Sequence, residues 1–445
     1  MTVPRTICLG FLAVISIGTF FLWMDDTIYN GSLGNPVTAL FTATSAVCVT
    51  GLSVVDVGEF YSLWGQICLL CLIEVGALGY MTANTVLLML IGRKFGLRDK
   101  LALQQSLDTP GLAGVMPLLK SIIATMVLFQ LTGVLLLMIV FVPDWGFTEG
   151  LWMSIFHSIN GFNNAGFSLF SNSLVGYVAS PVVNFTMSLL IIFGGLGYQV
   201  IIELYLWVKN FLNQNTTMRR EFTIHFKVVC STTIFLLLTG TLLFFITEFN
   251  NPDTLQTLSI FGKIQASWFQ SVTSRTAGFN TIQTGEMTDA GIFITITLMF
   301  IGASPGSTGG GIKTTTSRIL VNCTKAALEG RHEVLCYQRK IPSTLLLKAV
   351  GVLVGSMGVV FLSTLLIVQI QPELGFGNIF FEIVSAFATV GLSTGITGDF
   401  SMPSRLVVIA TMYVGRVGIL VLMSAILGDQ KPSVIEYPEE NLLVG

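Results

Sequence analysis

Apolar runs recur along the whole 445-residue chain, near residues 6 to 24, 60 to 91, 118 to 142, 182 to 208, 226 to 247, 290 to 327, 345 to 370 and 405 to 428. A helix needs about 20 apolar residues to cross a bilayer core. The pattern therefore predicts eight membrane helices, the sixth of them interrupted. Between the two helices of each consecutive pair lies a mixed segment of about 12 to 15 residues, too short to cross and too apolar for a solvated loop. These four segments read as re-entrant helices. The first run, ICLGFLAVISIGTFFLW, follows Arg5 as a signal peptide would, but MDD stands where a small-residue cleavage site belongs. It is read as a retained transmembrane helix.

Self-alignment turns the pattern into a repeat. The re-entrant segments end in FTATSAVCVTGLS, FHSINGFNNAGFS, FQSVTSRTAGFN and FEIVSAFATVGLS, placing Gly51, Gly166, Gly278 and Gly391 at separations of 112 to 115 residues. Seven residues beyond three of these come GEF, GEM and GDF, at Gly58, Gly285 and Gly398; the second copy departs, with Gly176 ten residues on. A third glycine recurs in the second long helix of each copy, at Gly79, Gly197, Gly306 and Gly418. The chain is read as an all-α membrane protein, four copies of helix, re-entrant pore loop and helix around a central pore. The copies cover 6–92, 118–210, 226–330 and 345–428 of a single membrane domain (1–445), followed by a tail, 429–445.

Composition agrees. Hydrophobic residues make up 52% of the chain and charged ones 10%, with mean hydropathy +0.79, against about 25% charged in a soluble domain. This excludes an ordinary soluble enzyme, and a net charge of −2 gives no reason to expect nucleic acid. Charge also sets topology. Within a copy, between its two long helices, the basic residues are Lys263, Arg275 and Arg405, whereas Arg93, Lys94, Arg98, Lys100, Arg219, Arg220, Lys227, Arg331, Arg339 and Lys340 fill the links between copies. By the positive-inside rule those links and both termini are cytoplasmic, in a cell membrane. Asp25, Asp26, Asp56, Glu59, Asp144, Glu149, Glu248 and Asp253 fall on the outer side, where they either concentrate cations at a mouth or simply solvate loops.

Irregular backbone at membrane depth survives only where protein or a water-filled path surrounds it. Four such loops imply a shared path, at whose narrowest point backbone carbonyls replace the hydration shell of an alkali cation. Glycine reaches the dihedrals that crowd carbonyls toward an axis, and each re-entrant helix aims its partially negative C-terminus there. For Gly79, Gly195 and Gly197 close helix packing is the expected role.

VCVTGLS, FNNAGFS, SRTAGFN and ATVGLST, with GASPGSTGGGIKTTT and YVGRVG, resemble the filter loops, gate segment and last-helix arginine of the Ktr/Trk/HKT superfamily of potassium transporters, over nearly the whole chain. With no extra helix pair before the first copy, the likeness is greatest to the Ktr membrane subunits (KtrB- and NtpJ-like). The resemblance implies a selectivity filter for K+ at Val49, Thr50, Gly51, Asn164, Ala165, Gly166, Thr276, Ala277, Gly278, Thr389, Val390 and Gly391. It implies a gate loop of Gly302, Ala303, Ser304, Pro305, Gly306, Ser307, Thr308, Gly309, Gly310, Gly311 and Lys313, with Arg416 as its partner. In the family a first-loop glycine, here Gly51, goes with potassium, and serine with many sodium-selective plant relatives. Also implied are a homodimer, a cytosolic nucleotide-binding ring of KtrA type, and K+ uptake stimulated by Na+. A sodium-permeable or H+/Na+-coupled symporter of the same fold is the alternative.

Arg416 lies mid-helix in VVIATMYVGRVGILVLMSAIL, about 15 to 20 Å from either interface at 1.5 Å per residue, beyond snorkelling reach. It needs a partner, and the polar stretch 302–316 offers carbonyls and hydroxyls at similar depth. Glu382 is expected to open the fourth re-entrant helix, stabilising its N-terminus; Glu74 is either a proton relay or a partner for a neighbouring helix. Cys68 and Cys71 form a CxxC inside an apolar helix without further ligands, so neither metal nor disulfide is expected. His157, His225 and His332 are scattered, and no HExxH or GxSxG occurs, which argues against an intramembrane enzyme; His157 is expected to pack. The Gly302 to Thr316 stretch imitates a phosphate-binding loop, but Ile312 separates Gly311 from Lys313, breaking GxxxxGK[ST]. No bound cofactor is expected. The acidic tail is expected to contact either the second protomer or the ring.

Overall fold

The computed structural model describes residues 3–29, 31, 34–79, 115–212, 222–331 and 333–428. The expected end of the first copy (80–92), the link charges Arg93, Lys94, Arg98, Lys100, Arg219 and Arg220, His332 and the tail 429–445 lie outside the described residues.

Four units follow one another. The first holds α1 (Val3–Tyr29), α2 (Pro36–Val47), a short turn of helix α3 (Val57–Phe60) and α4 (Leu63–Leu78). The second holds α5 (Val115–Trp145), α6 (Phe147–Asn163), α7 (Pro181–Leu196) and α8 (Tyr198–Leu212). The third holds α9 (Ile224–Glu248), α10 (Ile260–Thr273), α11 (Asp289–Phe300) and α12 (Thr314–Leu328). A two-stranded hairpin, β1 (Leu335–Cys336) with β2 (Arg339–Lys340), leads to the fourth: α13 (Ser343–Ile370), α14 (Phe376–Phe387), α15 (Met402–Val417) and α16 (Ile419–Leu427).

Helices α1, α5, α9 and α13 are each long and apolar enough to cross a bilayer. Their outward stripes, such as Leu128, Leu131, Leu135 and Ile139 on α5, are exposed and recur at helical spacing, as a lipid-facing surface requires. Helices α2, α6, α10 and α14 have 12 to 17 residues, short of a bilayer crossing. Side chains start two of them: Asn35 accepts from Val37 N at 3.0 Å beside Pro36, and Ser259 accepts from Gly262 N at 3.1 Å, meeting donors that a helix leaves free. All four end inside the molecule, where their last residues are buried.

Two of the second long helices, those of the second and fourth units, are not the straight spans expected, and the interruption expected in the third is present. Helices α7 and α8 meet at 105° and α15 and α16 at 93°, giving six spans among the described residues when each bent pair counts as one. Helix α4 stops at Gly79, and residues 301–313 separate α11 from α12. The cause is the third repeated glycine: Gly79, Gly197, Gly306 and Gly418 have φ of 78°, 89°, 68° and 85°, and in three of them ψ of 139° to 144° makes this a conformation that in practice only glycine adopts. This corrects the packing role expected for Gly79, where a Cβ would have nothing within 4 Å; Gly197 combines the bend with close packing, since a Cβ there would lie 2.6 Å from Pro305 O, and at Gly195 a Cβ would make only ordinary contact, 3.5 Å from Asn164 Nδ2. The glycines that seat the second helices lie three residues earlier. A Cβ on Gly76, Gly194 or Gly415 would strike the carbonyl oxygen of Val47, Phe162 or Phe387, at the ends of α2, α6 and α14.

Candidate functional site

Each short helix runs into an irregular strand that repeats the same backbone alternation. Val49, Asn164, Thr276 and Thr389 have φ of 56°, 57°, 79° and 51°, and Gly51, Gly166, Gly278 and Gly391, two residues on, have 92°, 73°, 76° and 91°. Four non-glycine residues in the left-handed region each cost of order 1–3 kcal/mol. The loops are held by the helices behind them. Thr50 N donates to Ser45 O at 2.8 Å and Gly51 N to Ser45 Oγ at 3.0 Å. In the fourth unit Val390 N and Gly391 N repeat this on Ser385, at 2.9 and 3.1 Å.

The four glycines close a ring in chain order. A Cβ on Gly51 would strike the Ala165 carbonyl, one on Gly166 would lie 2.9 Å from Ala277 O, and one on Gly278 would strike Val390 O. One on Gly391 would strike Thr50 O, returning to the first unit. The structure thus brings together one strand from every unit, with no room for a side chain between neighbours. On one side of the ring lies a cavity of about 260 Å³ lined by all four glycines together with Ser53, Ser168, Asn280, Ser393 and Thr397. Asp56 is the one acidic residue in its lining. Asp25, Asp26 and Glu248 instead hold loops: Asp25 accepts from Ser62 N at 3.1 Å, Asp26 from Asn35 N at 3.1 Å, and buried Glu248 from Thr288 Oγ1 at 2.6 Å.

On the opposite side the stretch 302–313 folds against the ring. A Cβ on Gly309 would strike the Thr276 hydroxyl, one on Gly310 the Thr389 hydroxyl, and one on Gly311 would lie 3.4 Å from Ala388 Cβ. The Thr276 and Thr389 hydroxyls are buried without a hydrogen-bond partner. Backbone N–H groups of the stretch are taken up by protein carbonyls: Ala303 N donates to Gly310 O at 3.2 Å within it, and Ser304 N and Thr308 N donate to Gly195 O and Gly194 O of α7 at 3.1 and 3.2 Å. Donors aimed at carbonyls make no phosphate cradle. Tyr198 N donates to Gly306 O at 3.1 Å, so the break between α7 and α8 also rests on this stretch; Ser307 and Pro305 complete its turn, with Ser307 Oγ 2.6 Å from Ser304 O.

Arg416 reaches the stretch, as its depth required. Its guanidinium donates to Thr308 O, to Gly76 O at 2.5 Å and to Ala77 O at 3.3 Å, joining the fourth, third and first units. Lys313 Nζ donates to Gly309 O at 2.7 Å. Sequence reasoning missed a further arginine. Arg275, counted above with the outer-side charges, is buried, and its Nη2 donates to Gly302 O at 3.3 Å. The available signal was its position directly before TAG in the third loop.

Glu382 departs from expectation too. It is the seventh residue of α14 rather than the first, fully buried, and accepts from Ser393 Oγ at 2.5 Å, Thr397 Oγ1 at 3.0 Å and Thr394 N at 3.1 Å. It braces the strand beyond Gly391. Glu74 has a partner on a neighbouring helix, Gln130 Nε2 on α5, at 2.6 Å. His157 packs, stacked on Phe170 with ring centroids 4.8 Å apart.

The family model for TrkH, a cation transport protein, matches residues 6–432. The chain is 37% identical over 444 residues to Ktr system potassium uptake protein B of Bacillus subtilis (strain 168), covering 100% of this chain and 97% of that one. It is 35% identical over 446 residues to potassium/sodium uptake protein NtpJ of Enterococcus hirae, covering 99% and 97%. The crystal structure of the potassium transporter TrkH from Vibrio parahaemolyticus superposes with a TM-score of 0.69 at 18% identity, over 94% of this chain and 84% of that one, a likeness of fold. The chain belongs to the TrkH family of cation transport proteins, multi-pass membrane proteins that are transporters and not enzymes.

Proposed function

We propose that the chain is the ion-translocating membrane subunit of a potassium uptake system. The observation that carries this is the ring in which Gly51, Gly166, Gly278 and Gly391 each abut the backbone of the next unit. Four strands of alternating handedness bring main-chain oxygen to one axis, a setting that suits a large, weakly hydrated cation and needs no side-chain charge. Val49 to Gly51, Asn164 to Gly166, Thr276 to Gly278 and Thr389 to Gly391 form the filter in this reading. Residues 302–313 are the gate, seated against the hydroxyls of Thr276 and Thr389 and fixed by Arg416.

The names of the relatives support potassium as the ion, and that of NtpJ also includes sodium. Within the same reading Na+ stimulates uptake, the chain is a homodimer in the cell membrane with both termini cytoplasmic, and a KtrA-type nucleotide-binding ring acts on the gate from below. The test is 86Rb+ and 22Na+ uptake into liposomes holding the purified chain, with and without Na+ on the outside. Rb+ uptake exceeding Na+ uptake, and raised by Na+, is expected; Na+ uptake equal to or above Rb+ would favour the sodium-permeable alternative. Deleting Gly309–Gly311 should raise basal Rb+ uptake several-fold, and an unchanged rate in a folded protein would remove the gate.

A further inference from the structure

The third loop touches the 302–313 stretch at two points. Arg275 donates to the carbonyl of Gly302, the first residue of the stretch, and the next residue, Thr276, lies with its hydroxyl against Gly309 in the middle. Thr276 is in the left-handed region, with φ 79°, so its conformation is imposed by neighbours. Two adjacent residues, the second of them the first of the third filter strand, thereby contact both the start and the middle of the stretch. Arg416 and Lys313 donate instead to Thr308 and Gly309.

The surroundings of Arg275 are unusual for an arginine. It is 7% exposed, its Nε is buried without a partner, and its one hydrogen-bond acceptor is neutral. The ion pairs among the described residues all lie between 325 and 340. A buried guanidinium with a single carbonyl partner is costly to keep, and an apolar residue of its length would suit the site better if packing were its whole task.

We propose that Arg275 is a second positioning residue for the gate, a latch that ties the hinge at Gly302 to the third filter strand, so that release of the gate and the ion preference of the filter change together. This rests on the reading of 302–313 as a gate. When the stretch leaves the ring, Gly302 O is withdrawn from the guanidinium and Thr276 loses its backing from Gly309. The strand holding Ala277 and Gly278 is then freed at its inner end. In the seated state the same bond keeps the loop under the ring and a fixed positive charge beside the path of the cation.

The experiment compares Arg275→Gln, Arg275→Met and Arg275→Lys with the Gly309–Gly311 deletion, all as full-length chains in liposomes, reading basal 86Rb+ uptake, the Rb+/Na+ uptake ratio and thermal stability in detergent. Arg275→Gln and Arg275→Met should raise basal Rb+ uptake several-fold and lower the Rb+/Na+ ratio. Arg275→Lys should recover part of both. Met removes the buried charge, so its melting temperature should be no lower than that of the parent, and its changed rate and ratio then cannot come from lost folding; should Gln fail to assemble, Met decides alone. Combined with the deletion, Arg275→Met should add no further basal uptake. If the deletion raises uptake while Arg275→Met leaves both rate and ratio unchanged, or raises the rate without changing the ratio, the latch is overturned and the gate stands. If the deletion itself has no effect, the gate reading fails with it.

Discussion

At the scale of single residues, the ring makes the four repeated glycines unequal. All four have positive φ, so alanine at any of them costs roughly 1–2 kcal/mol from conformation alone. The space differs. A Cβ at Gly391 would strike Thr50 O, whereas at Gly166 the nearest atom, Ala277 O, is 2.9 Å away. Gly391→Ala should therefore lower Rb+ uptake at least about tenfold or abolish assembly, and Gly166→Ala should keep a larger share of transport, since a rate ratio of ten corresponds to about 1.4 kcal/mol. Gly146→Ala, at φ 80° with nothing within 4 Å, isolates the conformational cost. Equal uptake by the Gly391 and Gly166 variants in liposomes would show that the ring contacts do not govern the path. The four loop glycines were legible because spacing and a preceding short helix recur together. Arg275 was not, because a charge count along a segment records no depth: the residue sits between two outer loops in sequence and beneath the ring in space.

Among elements, the bends at Gly197 and Gly418 are the feature that sequence hid, whereas the interruption of the third unit's second helix was expected. An apolar run with a glycine in it reads the same whether the glycine admits a neighbour or bends the chain. The recurrence that identified the loop glycines was equally present for Gly79, Gly197, Gly306 and Gly418, and it pointed to backbone conformation. The breaks nevertheless differ in what they touch. A Cβ on Gly197 would lie 2.6 Å from Pro305 O, while one on Gly418 has nothing within 4 Å. Gly197→Ala should disturb the seat of the 302–313 stretch and raise basal Rb+ uptake several-fold, with a fall in melting temperature. Gly418→Ala should show only the conformational cost, a fall in melting temperature, with basal uptake near that of the parent. Raised uptake in both, or in Gly418→Ala alone, would mean that bending as such, and not contact with the loop, controls the path.

For the whole molecule, the two ends of the proposed path carry different chemistry, and that difference predicts an orientation. The cavity above the ring opens among hydroxyl-bearing residues and Asp56, at the end where α2, α6, α10 and α14 begin and where Asp144, Glu149 and Asp253 are exposed. The other end carries Lys325, Arg331, Arg339 and Lys340, all exposed around α12 and the β1–β2 hairpin. Basic residues near the ends of membrane helices stay on the cytoplasmic side, so the proposed orientation has the cavity facing outward, with cations meeting it before the 302–313 stretch. A cysteine at Asp253 should then react with a membrane-impermeant maleimide in intact cells, and one at Lys325 should react only in inverted vesicles, each measured over the baseline of the parent chain and its native cysteines. The reverse pattern would place the stretch ahead of the ring on the way in, where a loop held at Thr308 and Gly302 by Arg416 and Arg275 could not be released by a cytosolic partner, and uptake controlled from the cytoplasm would need another mechanism.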